Sequence, residues 1–472
     1  GVILNDLERF SEAEACFRRA AGIRPEYATA HSNLGVALKH QGRFSEAEAC
    51  ILRAFEINPD YAEAHSNLGN ILNDLGRFSE AEACFRRALV IRPDYSDAYS
   101  NLLFTLSYSK VHDPLSFLEE ARRYGEVLDK KVTSRFGEWR CEASPDRLRI
   151  GVVSGDLRNH PVGFFLESLL YRLDTSRIEL IAYPTVHMED DLTDRIRQCF
   201  ALWKPLAGLG DEDSARLIHA DGVHILFDLS GHTAYNRLPV FAWKPAPVQV
   251  SWLGFLATTG VREIDYVLGD PVATPVEDDW KFSEKVWRLP DVWCCYTSPD
   301  IELEAGPLPA LAAGFITFGS FNNLSKMNEA VVALWARVLK AVPGSRLFIK
   351  TRQLNDPQVR AATRTRFAEH GIAPELLILE GSSPFAGMLA AYRRVDIALD
   401  TFPYGGCTTT CDGFWMAVPV ITRKSDRLLF HCGQSFAATV GLPGWIAEDD
   451  DDYVAKAVAQ TADLERLSEL RS

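Results

Sequence analysis

Small and apolar side chains near the start of the chain fall at helical spacing, and the whole phrase then repeats. Leu34 and Leu38, followed by Ala47, Ile51 and Ala54, give two successive helices one apolar face each. The phrase RFSEAEAC occurs three times and sets Phe10, Phe44 and Phe78 at a 34-residue interval. Pro25, Pro59 and Pro93, Tyr27, Tyr61 and Tyr95, Asn33, Asn67 and Asn101, and Ala20, Ala54 and Ala88 keep the same register, so independent residue types agree on one period. Gly42 and Gly76 break the chain between the two helices of a unit, and the prolines end the second helix. Such helix-turn-helix units cannot bury their apolar faces alone. They are expected to stack as an α-α superhelical solenoid over residues 1–108, with a concave groove suited to protein or peptide.

From residue 109 the repeat fades into a polar helical connector, 109–146, and from Arg147 the period changes. Short β-branched runs now alternate with amphipathic helical stretches, which predicts parallel α/β sheets. A first set of strands is expected at 148–154, 178–184, 224–230, 248–254 and 264–270. After a break rich in proline and alanine near 299–313, a second set comes at 315–321, 346–351, 376–381, 396–402 and 419–423. The predicted architecture is therefore the solenoid, the connector and two Rossmann-like lobes, 147–300 and 301–472, with the site in the cleft between the lobes. Ligands of doubly wound sheets sit beyond the carboxyl ends of the strands, so the chemistry belongs in the loops that come after strands.

Charge and cysteine usage narrow the class. A net charge of −14 argues against nucleic acid or an anionic membrane as the main partner. No apolar stretch reaches the roughly 18 to 20 residues that a spanning helix needs. Cys16, Cys50 and Cys84 ride the repeat as small residues, and none of the ten cysteines forms a CxxC pair with zinc spacing. Reduced thiols and a cytoplasmic setting are expected. The opening GVILNDLERF matches residues 70–79, so the chain is expected to begin inside a repeat helix, with further repeats upstream.

Three loops carry candidate chemistry. In 400–415, DTFPYGGCTTTCDGFW, glycines lead into Thr408, Thr409 and Thr410 at the start of a helix. Unpaired N–H groups, the helix dipole and hydroxyls make an anion site suited to a diphosphate. Threonine also caps helices that bind nothing. The loop SFNNLSK ends the first strand of the same lobe and places Lys326 to face that helix. In the other lobe SGDLRNHPVGFF carries His160, either a catalyst or a helix cap. In the repeats, Asn33, Asn67 and Asn101 form a column of amides, each able to donate and accept, that can grip a peptide backbone without reading its side chains.

The array resembles the tetratricopeptide repeat, matched by Leu34, Gly35, Ala47, Ala54 and Pro59 in one copy and Leu68, Gly69, Ala81, Ala88 and Pro93 in the next. Residues 147–170, 218–270, 314–326 and 396–420 resemble the catalytic region of the O-GlcNAc transferase and SPINDLY family, of glycosyltransferase family 41 type. The resemblance implies a GT-B fold and an enzyme that transfers one sugar from a nucleotide-sugar to a serine or threonine hydroxyl of a protein. It also implies inversion at the anomeric centre, no metal and no cofactor beyond the co-substrate. Carried over, Lys326 matches the lysine on the donor diphosphate, Thr408 and Thr409 the threonines of the phosphate-binding helix, and Asp412 the aspartate that holds the ribose. Asn323 stands in place of a donor-contacting glutamine. His160 matches the histidine near the acceptor hydroxyl, and His219 lies where a second active-site histidine is found. Asn33, Asn67 and Asn101 correspond to the asparagine ladder that holds protein acceptors.

Two departures bear on the donor. Cys407 precedes the threonines where O-GlcNAc transferase has histidine, and Met388 stands where a histidine reads the uracil. The segments 231–238, 289–296, 314–326 and 400–411 look closer to SPINDLY, which uses GDP-fucose. The donor is therefore UDP-GlcNAc, taken first, or GDP-fucose. Two rivals remain of other kinds: a catalytically inactive tetratricopeptide scaffold, and a metal-dependent transferase, to which Asp211, Glu212 and Asp213 point. That acidic triplet precedes a predicted helix and reads more simply as a solvated helix start. The family also continues past a point like Ser472, so a further C-terminal segment is expected.

Overall fold

The computed structural model describes residues 1–108, 112–425 and 431–471; the predicted start of the connector at 109 lies outside them. The repeat helices are Phe10–Ile23, Ala28–His40, Phe44–Ile57, Ala62–Asp74, Phe78–Ile91 and Ser96–Tyr108. Each turn between paired helices closes by the same hydrogen bonds. Gly42 N donates to Lys39 O and Arg43 N to Leu38 O, at 2.9 and 3.0 Å; Gly76 N and Arg77 N repeat the pair on Asn73 O and Leu72 O. This double closure needs a left-handed residue, and Gly42 and Gly76 supply it at φ +78° and +74°. Arginine then stitches neighbouring repeats together. Arg43 bonds Glu46 in its own repeat and Glu14 in the one before, and Arg77 bonds Glu80 and Glu48 in the same way. Burial works against the charge on Glu14, but hydrogen bonds from Gln41, Arg18 and Arg43 outweigh it and hold the carboxyl at about 2.

The chain divides into two compact units, each assembled from separated stretches: Gly1–Arg9 with Phe85–Thr297, and Phe10–Cys84 with Ser298–Ser472. Helices of the predicted 1–108 array occur in both units, and each unit holds one sheet.

The first unit contains seven parallel strands: β1 (Leu148–Ser154), β2 (Ile178–Pro184), β3 (Leu202–Trp203), β4 (Ile225–Asp228), β5 (Val248–Ser251), β6 (Tyr266–Gly269) and β7 (Lys285–Arg288). Their order is β3-β2-β1-β4-β5-β6-β7. Its core joins Val153, Ile181 and Leu226 of the sheet to Leu103 of the last repeat helix and Tyr124 of the connector helix Pro114–Asp129. That connector helix lies so close to the loop after β5 that a Cβ on Gly260 would come 1.9 Å from Ala121 O. Only glycine fits there.

The second unit contains β8 (Thr317–Ser320), β9 (Arg346–Lys350), β10 (Leu377–Glu380), β11 (Ile397–Leu399), β12 (Val420–Arg423) and β13 (Ile446–Ala447), in the order β10-β9-β8-β11-β12-β13. All ten predicted strands are present. The three not anticipated, β3, β7 and β13, are edge strands of two to four residues. In both sheets the first strand lies inside the sheet and the order reverses beside it, between β1 and β4 and between β8 and β11. Those reversals are where doubly wound sheets open a ligand crevice.

Candidate active site

At the reversal in the second unit, Asp400 comes directly after β11 and organises the glycine loop. Its carboxylate accepts from Gly406 N (2.6 Å), Thr401 N (2.9 Å) and Thr422 Oγ1 (2.8 Å). Burial pushes this carboxyl up, while those bonds and Lys326 work the other way. The loop delivers the chain to the helix Thr408–Trp415 with Cys407 at its N-cap; no side chain caps it. A Cβ on Gly406 would lie 2.6 Å from Thr410 Oγ1 and 2.8 Å from Thr409 Oγ1, so glycine lets the hydroxyls and the loop backbone converge.

Lys326 comes to this helix from the loop after β8. Its Nζ donates to Gly405 O at 2.7 Å and sits 4.2 Å from the centre of the Tyr404 ring. Burial holds the ammonium below the usual lysine range, and the Asp400 carboxylate opposes that shift. The fold thus brings together a lysine and a threonine-started helix separated by some 80 residues of chain, as expected. Asp412 lies one turn into the helix, 2% exposed.

The asparagine pair is ordered differently from the expectation. Asn322, for which the sequence offered no role, receives the Thr409 hydroxyl at 2.9 Å. Asn323, expected to touch the donor, instead caps the short helix Leu324–Lys326 through Ser325 N (3.0 Å) and accepts from Gln353 Nε2. Ser320, equally silent in the sequence, ends β8 with an Oγ that has no hydrogen-bond partner among the described residues although the residue is 4% exposed. It lines one small hollow together with Asn322, Asp400, Thr409 and Thr410. A buried hydroxyl left unpaired is costly, and a polar ligand in that hollow would satisfy it. Met388 stands in the helix Phe385–Ala391 after β10, half-buried against the apolar cluster of Phe321, Phe348 and Tyr392, where packing accounts for it.

In the first unit, His160 is the N-cap of the helix Pro161–Leu170, in the loop after β1. Its Nδ1 lies 3.4 Å from Val162 N and 3.5 Å from the Asp156 carboxylate. Burial, reinforced by Arg158, lowers its pKa to about 4, so the ring is neutral near pH 7. Burial likewise raises Asp156 to about 6. Nδ1 accepts from Val162 N as the helix cap, so in this arrangement the neutral ring carries its proton on Nε2, and a general base at Nε2 requires the other tautomer, with Nδ1–H turned to Asp156.

His219 does not join it. The helix Asp211–Ala220 leads into the start of β4, so its last turn lies at the amino ends of the strands. There the His219 ring stacks on Phe136 at 3.9 Å and its Nε2 meets Glu138 O at 2.8 Å, a structural fastening of the connector. Sequence spacing could place the histidine beside a strand but not say at which end. Asp211, Glu212 and Asp213 form the first turn of the same helix, where Arg237 pairs with Asp211 and Arg216 with Glu212.

Asn33, Asn67 and Asn101 are half-buried in the first helix of successive repeats. Asn67 Nδ2 donates to Ser32 Oγ of the preceding repeat at 3.0 Å. Asn67 therefore also braces the stack.

Tetratricopeptide helices stand ahead of two parallel α/β lobes of the GT-B type, the second carrying a lysine and a hydroxyl-lined helix start. The sequence profile of Glycosyl transferase family 41 matches residues 126–296 and 306–472, and tetratricopeptide profiles match 1–27 and 26–94. The chain belongs to family 41. It is 38% identical over 369 residues to a tomato (Solanum lycopersicum) protein named probable UDP-N-acetylglucosamine--peptide N-acetylglucosaminyltransferase SPINDLY, covering 75% of this chain and 39% of that protein. An Arabidopsis thaliana protein named as the SEC enzyme of the same activity is 29% identical, covering 76% of this chain and 38% of the relative. A solved structure of a Thermobaculum terrenum O-GlcNAc transferase mutant superposes with a TM-score of 0.94 at 34% identity, covering 99% of this chain and 89% of that one. The chain spans about two fifths of the length of the curated relatives it matches.

Proposed function

We propose that this protein is an inverting, metal-independent protein O-glycosyltransferase that moves a single sugar from a nucleoside-diphosphate sugar to serine or threonine hydroxyls. The observation that carries the reading is the convergence on one helix start of Lys326, the Thr409–Asn322 pair and the unpaired Ser320 hydroxyl. Diphosphate oxygens would take the N–H groups that the helix start offers, and Lys326 would exchange Gly405 O for the leaving group. As the acceptor oxygen attacks the anomeric carbon from the opposite face, the bond to the diphosphate breaks and negative charge grows there. Lys326 and the helix dipole oppose that charge. The acceptor proton passes to His160 Nε2, or to a phosphate oxygen of the donor. Asp412 would hold the ribose.

UDP-GlcNAc is the proposed donor, in line with the names of the relatives. Cys407 and Met388, which lack the hydrogen-bonding ring expected of a uracil reader, keep GDP-fucose as the competing donor. Protein acceptors would be gathered by the repeats through Asn33, Asn67 and Asn101. A cytoplasmic setting fits ten cysteines that are all free thiols. A retired scaffold is the weaker reading, because Lys326, Thr408, Thr409 and Asp412 are all retained.

Thermal shift with UDP, UDP-GlcNAc, GDP and GDP-fucose side by side tests the donor, and transfer to a protein acceptor with and without EDTA tests the reaction. Stabilisation by the uridine pair and EDTA-insensitive transfer of GlcNAc are expected. No stabilisation by any of the four would sink the reading.

A further inference from the structure

Within the second unit the repeats reach the loop that carries Lys326. The helix Ala62–Asp74 ends with carbonyls that have no partner inside the helix, a general property of helix ends. Gln353 supplies one. Its Nε2 donates to Asp74 O at 3.2 Å and also to Asn323 Oδ1, while its Oε1 accepts from Thr351 Oγ1 at 2.6 Å. A carboxamide has two N–H protons, and both are used in joining the repeat to the loop. Gln353 is 1% exposed, so water cannot replace either bond. The next residues press on the same loop. Leu75 packs on the apolar cluster that contains Leu324, and a Cβ on Gly76 would stand in ordinary van der Waals contact with Ser325 Cα, 3.5 Å away. Asn323 in turn fixes the short helix Leu324–Lys326, through Ser325 N to its side chain and Lys326 N to its carbonyl at 2.9 Å. A chain of hydrogen bonds therefore runs from the repeat turn to the backbone of Lys326.

We infer that the repeat turn at 74–77 is part of the donor-site scaffold, and that Gln353 is the positioning residue tying it to the Lys326 loop. The inference rests on the proposed diphosphate site. Its chemical content is that the repeats set donor handling directly, in addition to any acceptor they gather. Displacing a group that must meet developing charge by about 1 Å can cost orders of magnitude in rate, and loss of a coupling of this kind changes affinity by roughly two- to thirtyfold.

The test uses the full chain as wild type, Gln353→Leu and Gln353→Glu. Leucine removes both donors, and glutamate keeps the shape while turning an acceptor toward two acceptors. Calorimetry gives Kd for UDP and GDP, donor hydrolysis without acceptor gives kcat, and the melting temperature and the KM for a peptide acceptor are recorded alongside. Both variants are expected to raise the nucleotide Kd and lower hydrolysis by roughly two- to thirtyfold, with peptide KM changed by less than about twofold. Wild-type behaviour in both variants, or a lower melting temperature with unchanged Kd and kcat, overturns the inference. Should either variant fail to fold, Gly76→Ala disturbs the turn from the repeat side with Gln353 intact, and the same readouts decide. A wild-type protein that binds neither nucleotide overturns the diphosphate site itself, an outcome visible before any substitution is made.

Discussion

The two sheets solve the same problem in parallel and then diverge. Each has its first strand inside the sheet, the order reversing beside it, and a buried aspartate at the end of the next strand across the reversal. Asp228 accepts from Ser230 N, Gly231 N and Ser251 Oγ on β5; Asp400 accepts from Thr401 N, Gly406 N and Thr422 Oγ1 on β12. The carboxylate fastens the loop to its own strand and to the neighbouring strand in both. Beyond the aspartates the two chains part. After Asp228 the chain runs through a loop to a helix of only four residues, Leu238–Phe241. After Asp400 it runs through a diglycine to an eight-residue helix started by threonines, with Lys326 placed opposite by the first strand's loop. The corresponding loop in the first unit brings His160, kept neutral by burial. The scaffold is shared; one copy sets a buried lysine beside a helix start and the other a neutral histidine at a helix cap.

The largest effect that could break this division is at the lysine. Lys326→Ala is expected to lower turnover on the order of a hundred- to a thousandfold with the fold intact, since it removes a preorganised charge from the leaving group. Near-wild-type kcat with the mutant would remove the assignment. On the other side, His160→Ala should cost about 100-fold in the chemical step while donor Kd holds. Because a base works only unprotonated, the wild-type rate should fall as pH drops through about 4 rather than through the ordinary histidine range. The same lowered pKa means the unfolded chain binds the extra proton first. This histidine's contribution to stability therefore declines as pH falls from about 6.5 toward 4. A rate profile with its acid limb at about 6.5 would contradict the half-buried, neutral ring.

The paired aspartates sharpen the comparison. Asp228→Ala and Asp400→Ala each strand buried N–H and hydroxyl donors, and each should lower stability by about 1–3 kcal/mol in denaturant titrations. Only Asp400→Ala should also weaken nucleotide binding. Equal loss of nucleotide binding in both would mean the first sheet shares in donor recognition. The smallest expected change lies in base selection. Cys407→His combined with Met388→His should shift the UDP-to-GDP affinity ratio toward UDP by a few-fold, within the roughly 0.5–1.5 kcal/mol net worth of one added hydrogen bond. Since Met388 is half-buried in an apolar cluster, Cys407→His alone is expected to carry most of the shift.

The sequence by itself determined the period and the alternation. The 34-residue repeat, its glycine turns and ten strands were legible because apolar spacing and φ requirements are local properties of the chain. The candidate lysine and threonines were legible for a related reason: each stands in a short motif directly after a strand. Edge strands β3, β7 and β13 were not, since two to four residues carry no pattern and are held by a neighbour's hydrogen bonds. Nor could spacing tell Asn322 from Asn323, because both stand in the loop after β8 and each is assigned by a partner far along the chain, Thr409 or Gln353. His219 could not be placed at the amino or carboxyl ends of the strands without the helix that carries it. Gln353 gave no signal at all, a single amide in a polar stretch whose partners lie 30 and 279 residues away. Only the tertiary structure decided these, since which donor meets which acceptor is settled when distant segments are buried together.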